Sequence, residues 1–134
     1  MRNEPFWLPP EEIIELNRDL VARTGEPFLL RDPGLLESAC ARPLNLWAYE
    51  EEDDVVTLAI ALLFGLVQNH VFIQGNKRTG FMAALMMLRL NGWRLNPEID
   101  SAALADFVVR VLREEMSERA FAEFLRRYVH PIPT

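Results

Sequence analysis

The chain has 134 residues, of which 50% are hydrophobic and 25% charged, as expected for one globular domain with a single core. Its formal net charge of −6 at pH 7 excludes a broad basic surface, so we expect no direct contact with nucleic acid. The single Cys40 excludes an internal disulfide. The N-terminus lacks the apolar core of a signal peptide, and no apolar run could span a bilayer. We therefore expect a cytoplasmic protein without membrane contact.

Start and stop signals predict two helices in the first third of the chain. Pro9–Glu12 opens the first helix, because proline is tolerated and acids are favoured in a first turn. Gly25 is suited to end it. Asp32 followed by Pro33 starts the second helix, which we predict to end before Pro43 because proline interrupts the helical hydrogen bonds.

The segment Leu44–Glu50 has a different pattern. Its first six residues alternate between two sets, with Leu44, Leu46 and Ala48 in one and Asn45, Trp47 and Tyr49 in the other. A period of two predicts an extended piece of chain. The alternative is a loop whose Trp47 and Tyr49 cover the core.

Two strongly apolar runs form the centre of the predicted fold. Val55–Val67 and Phe81–Leu90 are each too short to cross a bilayer and have the composition of buried helices. Five acids at 50–54 precede the first run, where they complement the positive end of a helix dipole. A metal site made by these acids is the less favoured alternative, because adjacent acids point in different directions on a helix.

The last third of the chain predicts two more helices. One is capped by Asp100 or Ser101 and the other starts at Ser117, and the chain from His130 onward is predicted to be a tail. The predicted fold class is all-α, a compact bundle of about six helices around a buried central helical hairpin.

The loop between the two apolar runs carries the candidate chemistry. Residues 70–80 have the sequence H-V-F-I-Q-G-N-K-R-T-G. Asn76 is suited to cap the second apolar helix, since its side-chain oxygen can accept an unpaired N–H. Lys77 and Arg78 then lie in the first turn, where the helix dipole disfavours cations by about 0.3 to 1 kcal/mol each. Two cations placed against the dipole, beside free N–H groups and a glycine, indicate a site for phosphate.

His70 could act as a base beside that anion, because imidazole accepts protons near neutral pH. Each feature alone also has a structural explanation: a core histidine, an ordinary turn, or solvated cations. Together they favour transfer of a phosphate-containing group to a hydroxyl, with catalytic residues His70, Lys77 and Arg78. The predicted nucleotide- and phosphate-binding residues are Gly75, Asn76, Lys77, Arg78 and Thr79.

The motif H-x-F-x-x-G-N-K-R-T-G in residues 70–80 resembles that of the Fic/Doc superfamily, and Lys77 within it resembles the death-on-curing (Doc) branch. Residues 31–39, 41–43 and 88–92 also resemble death-on-curing proteins. The resemblance runs from about Leu8 to Tyr128, so we interpret residues 1–134 as a single domain with residues 129–134 as a tail.

This resemblance implies a reaction and a target. Fic enzymes transfer AMP from ATP to a protein hydroxyl, and their motif has glycine in place of Lys77 and arginine in place of Phe81. Doc-like members share both features of this chain and are similar to toxins that phosphorylate a threonine of elongation factor Tu. We therefore favour a toxin kinase that arrests translation over an AMP transferase. The resemblance also implies a small flap that aligns the target by strand addition, for which residues 43–49 are the candidate.

Gln74 departs from the family pattern. Both branches carry Asp or Glu at this position, where the carboxylate holds Mg²⁺, whereas glutamine offers a weaker neutral oxygen. The metal ligands are therefore left open. A nucleotide-binding or partner-binding module with weak catalysis is an alternative hypothesis, and a purely structural helical domain is a third.

The implied partner is an antitoxin. Self-inhibited Fic proteins contain an S/T-x-x-x-E-G/N helix, and this chain lacks that pattern. By resemblance, we expect an antitoxin whose helix covers the active-site groove.

Overall fold

The structure is a computed structural model that describes residues 2–112 and 116–133. Six helices and two short strands are formed by these residues, which confirms the all-α class. Their bounds are α1 Pro10–Thr24, α2 Pro33–Glu50, α3 Val55–Gln68, α4 Asn76–Leu90, β1 Trp93–Leu95, α5 Ser101–Val111, α6 Glu118–Arg126 and β2 Val129–Pro131.

The antiparallel pair α3 and α4 forms the centre of the bundle, as predicted. Ten residues of α3 are buried, namely every residue from Val56 to Leu66 except Thr57. α2 and α6 pack against α3, while α1 and α5 pack against α4. A Cβ atom at Gly65 would lie 3.1 Å from the Ala39 Cα atom, so this glycine permits the close approach of α3 to α2.

The prediction that the second helix ends before Pro43 is wrong. α2 continues through Pro43 to Glu50, so residues 43–49 are helical and form neither an extended piece nor a flap. Leu36, Ala39 and Pro43 are all buried at helical spacing, and their contacts with α3 compensate for the one backbone hydrogen bond that proline removes. The alternation in residues 44–49 was too short to distinguish the two periods.

The chain end also differs from the prediction of a tail. β2 pairs antiparallel with β1, with Trp93 opposite Pro131, Arg94 opposite His130 and Leu95 opposite Val129. This ribbon lies beyond the C-terminal end of α4. It was missed because three-residue strands leave almost no periodicity in a sequence.

The predicted helix starts are largely confirmed. The side chains of Asp32, Asp100 and Ser117 accept hydrogen bonds from backbone N–H groups of α2, α5 and α6. Asp54, the last of the five acids, caps α3 in the same way. None of the helices in the described residues is long and apolar enough to cross a membrane.

Candidate active site

The loop between α3 and α4 begins with an unusual backbone conformation at His70. His70 has φ +48°, in the left-handed region that few residues other than glycine adopt, at a cost of about 1 to 2 kcal/mol. Its N–H group donates to the Val67 carbonyl (3.2 Å), and its own carbonyl accepts from Arg31 Nη1 (2.7 Å). The backbone of His70 is therefore held on both sides, and its side chain is exposed.

The middle of the loop is fixed by pairing with an extended segment, residues 27–31, that connects α1 to α2. Leu30 and Phe72 form an antiparallel bridge, and the Ile73 N–H donates to the Leu29 carbonyl (3.0 Å). Phe72 is 1% exposed, so its side chain is buried in the core and anchors the loop. The bridge fixes the loop on one side of the site.

Asn76 fixes the loop from the other side and is not the N-cap. Its Oδ1 atom accepts from the Phe72 N–H (2.9 Å), and its Nδ2 atom donates to the Phe72 carbonyl (2.7 Å). The N-cap of α4 is Gly75, with φ +74° and no side-chain capping bond. The capping prediction for Asn76 is therefore wrong, because a bond across the loop is available to its amide only after folding.

The start of α4 offers hydrogen-bond donors to the cavity in front of it. The first backbone hydrogen bond of α4 runs from the Thr79 N–H to the Gly75 carbonyl (2.9 Å). The N–H groups of residues 76–78 precede it and have no helical partner, by the geometry of any helix start. With the dipole and two neighbouring cations, these groups are suited to bind phosphate oxygens.

A cavity of about 380 Å³ lies at this helix start. It brings together most of the residues that the sequence singled out. Its lining residues are Glu26, Val67, His70, Ile73, Gln74, Gly75, Asn76, Lys77, Arg78 and Val109.

Thr79 is the one predicted phosphate ligand that does not line this cavity. Its side chain is fully buried, at 0% exposure, and its hydroxyl accepts from Asn17 Nδ2 (3.0 Å). The same amide donates to the Gln74 carbonyl (2.8 Å). Thr79 and Asn17 thus tie the site to α1, and the Thr79 side chain does not line this cavity.

Asn17 was not found from the sequence, although a signal was present. It lies between Ile13 and Val21 at a spacing of four residues, and all three are buried. A polar residue within an apolar stripe indicates a specific buried hydrogen bond.

The two cations of the site differ in their surroundings. Arg78 forms an ion pair with Asp106 of α5, so part of its charge is already balanced. Lys77 lines the cavity and is half-buried. The contact between Arg78 and Asp106 joins α5 to the site, a connection that the sequence did not indicate.

Among the residues that the structure describes, few oxygen ligands for Mg²⁺ line the cavity. Glu26 carries the only carboxylate among these described lining residues, and it accepts a hydrogen bond from the Thr24 hydroxyl. The described residues contain no group of three or more His, Cys, Asp or Glu side chains that could hold a metal. Since Mg²⁺ in such sites takes one or two carboxylates together with phosphate oxygens, Glu26 and the Gln74 amide fit a metal only when nucleotide phosphates complete its coordination.

Cys40 is not a nucleophile. Burial, and secondly the charge of Glu11, raises the pKa of the Cys40 thiol to about 11. The thiol is therefore protonated at neutral pH.

Comparison with known proteins links this site to one family. A sequence model of the Fic/DOC family matches residues 7–88. The protein kinase doc of Escherichia phage P1 is 35% identical over 120 residues, which cover 90% of this chain and 93% of the phage protein. The toxin Doc of Mycolicibacterium smegmatis is 35% identical over 88 residues, which cover 65% of this chain and 68% of that toxin. The matched region contains every cavity residue except Val109.

Proposed function

Because the chain belongs to the Doc branch of the Fic/DOC family, we propose that it is a Doc-type toxin that transfers a phosphate group from a nucleotide to a hydroxyl of a target protein. The observation that carries this proposal is the cavity that His70 lines together with Lys77, Arg78 and the uncapped start of α4. A base and an anion site in one cavity are the two elements that phosphoryl transfer needs.

Each group has a role in the proposed reaction. His70 accepts the proton of the attacking hydroxyl, whose oxygen forms the new bond to phosphorus as the bond to the nucleotide oxygen breaks. The N–H groups of residues 76–78, with Lys77 and Arg78, bind the phosphate oxygens and stabilise their charge in the transition state. Bound Mg²⁺ would neutralise phosphate charge, with Glu26 and Gln74 as the residues that would hold it.

The target is proposed to be a translation factor such as elongation factor Tu, in the cytoplasm. Because residues 43–49 are helical, we propose that residues 27–31, which pair with the loop at Phe72, form the flap that aligns the target. Leu29 and Ile73 are 52% and 46% exposed there, and they offer an apolar edge to an incoming peptide.

Two other functions have support from particular features. AMP transfer would use the same base and anion site, and Lys77 in place of the Fic glycine argues against it. A binding module without efficient catalysis is favoured by Gln74 in place of the acid, while the exposed His70 argues against it.

The reaction is tested with purified protein, Mg²⁺, elongation factor Tu or a host lysate, and ATP labelled at either the α or the γ phosphate. Transfer of the γ label, reduced at least about 100-fold by removal of the His70 base, is the expected result. Transfer of the α label would show an AMP transferase. No transfer from a panel of nucleoside triphosphates to any lysate protein would favour the binding module.

The proposed antitoxin is tested by purification from the native host. A tagged chain should bring down a small partner whose bound segment becomes helical and blocks nucleotide access to the cavity. Consistent recovery of the chain alone would contradict the pairing.

A further inference from the structure

Arg31 makes two contacts to consecutive residues of the loop between α3 and α4. Its backbone N–H donates to the Val71 carbonyl (3.0 Å), and its Nη1 atom donates to the His70 carbonyl (2.7 Å). Arg31 is not among the residues that line the cavity, and both of these contacts are with the backbone of the loop.

These contacts meet the loop where its backbone is least favourable. The left-handed conformation of His70 (φ +48°) persists only where the surroundings hold it. On the side of α3, the His70 N–H is held by the Val67 carbonyl. On the other side, the described contacts of the His70 carbonyl come from Arg31, and a hydrogen bond from a charged donor is stronger than one between neutral groups.

Arg31 is itself fixed in place by its neighbours. Asp32, the next residue, caps α2 by accepting from the Gly34 N–H (2.9 Å). The preceding residue, Leu30, forms the bridge to Phe72. The arginine therefore has a rigid base from which to orient the loop.

We propose that Arg31 is a positioning residue, which fixes the His70 backbone so that the imidazole faces the phosphate site at the start of α4. This inference rests on the proposed phosphoryl transfer for its kinetic consequences, but the placement of the imidazole is a property of the chain alone. A small displacement of a base lowers turnover sharply, because proton transfer requires hydrogen-bond distance.

Kinetics separate positioning from a purely structural role. Arg31→Ala should lower kcat by about tenfold or more while KM for the nucleotide stays within about twofold, since the anion site is left intact. Arg31→Lys keeps a cationic donor and should restore most of the lost kcat. Arg119→Ala, at an exposed position of α6, is the matched control and should match the wild type.

Histidine NMR provides a readout that does not need activity. The chain has two histidines. His130 lies in β2, which pairs with β1 beyond the far end of α4, so its ring is an internal reference. Arg31→Ala should shift or broaden the imidazole resonances of His70 and leave those of His130 unchanged, and Arg31→Lys should return the His70 resonances towards their wild-type positions.

The outcomes distinguish this inference from the proposed function. Unchanged His70 resonances and unchanged kcat in folded Arg31→Ala would overturn the inference even if the wild type is an active kinase. Absence of transfer by the wild type would refute the proposed function, while a shift confined to His70 would still support positioning. If Arg31→Ala does not fold, Arg31→Lys decides: native His70 resonances support the inference, and a displaced imidazole in this donor-retaining variant contradicts it.

Discussion

At His70, the backbone conformation and the side-chain chemistry can be tested separately. Asparagine tolerates the left-handed region better than alanine does. His70→Asn removes the proposed base and should lower transfer by about 100-fold or more. Because asparagine tolerates this backbone conformation, the variant should lose little thermal stability. His70→Ala should be equally inactive and should melt at a lower temperature, measured by circular dichroism. Equal melting temperatures for the two variants would contradict the left-handed conformation at this residue.

A substitution at Gln74 tests the proposed binding of Mg²⁺ to this cavity. Gln74→Asp places a second carboxylate at the cavity beside Glu26 and should tighten nucleotide binding in the presence of Mg²⁺ but not in its absence. Calorimetry with and without Mg²⁺ measures the difference. Asn45→Asp, at an exposed position of α2, makes the same change in net charge and should have no effect. An unchanged Mg²⁺ dependence in Gln74→Asp would mean that this side chain does not face the metal.

At the scale of the elements, the start of α3 depends on Asp54. Burial by itself would raise the pKa of the Asp54 carboxyl, but hydrogen bonds from Arg126 and Thr57 outweigh burial and lower this pKa below its ordinary value. Because the pKa is lower in the folded protein than in the unfolded chain, ionised Asp54 stabilises the fold above the ordinary aspartate pKa near 3.9. The stabilisation is lost as the pH falls through the folded pKa.

Two substitutions separate the cap from the charge of Asp54. Asp54→Ala removes both and should lower the free energy of unfolding by about 1 kcal/mol or somewhat more at pH 7. Asp54→Asn keeps a capping oxygen and should lose less. Urea denaturation between pH 7 and about pH 2 should show the deficit of Asp54→Asn shrinking as the wild-type carboxylate is protonated. A deficit independent of pH would exclude the ion pair with Arg126 as its cause.

The outcome for α2 shows how packing overrides a local signal. Pro43 predicts a helix end, yet α2 continues because Pro43 itself lies on the buried face with Leu36 and Ala39. The spacing of these three residues was visible in the sequence. The sequence does not show how strongly this spacing favours a continued helix over the helix-ending effect of Pro43, because the apolar area that α2 buries against α3 is set by the tertiary structure.

At the scale of the whole molecule, α5 influences the site through the ion pair between Asp106 and Arg78. Both side chains are partly exposed, at 63% and 42%, so the pair contributes at most about 1 kcal/mol. Asp106→Asn releases Arg78 for phosphate and should lower the nucleotide Kd by up to about fivefold. Asp53→Asn breaks a comparably exposed pair with Arg2 and serves as the control. Weaker binding in Asp106→Asn would instead show that Asp106 holds Arg78 in its binding position.

The sequence by itself determined the properties that depend on short stretches of chain. Helix starts at Asp32, Asp100 and Ser117 follow from the hydrogen-bonding capacity of single side chains. The central hairpin follows from two long apolar runs. The motif in residues 70–80 indicated the candidate base and the candidate anion site, because these are close together in the chain.

Only the tertiary structure decided which side chains of that motif reach the cavity and what holds them there. Thr79 is removed from the cavity by Asn17, 62 residues away, and His70 is held by Arg31, 39 residues away. Contacts across such separations depend on how the helices pack, and no local pattern encodes them. The candidate catalytic and binding residues could therefore be predicted from the sequence of the motif. Their arrangement in space depends on the packing of α1, α2 and α5 around the central hairpin.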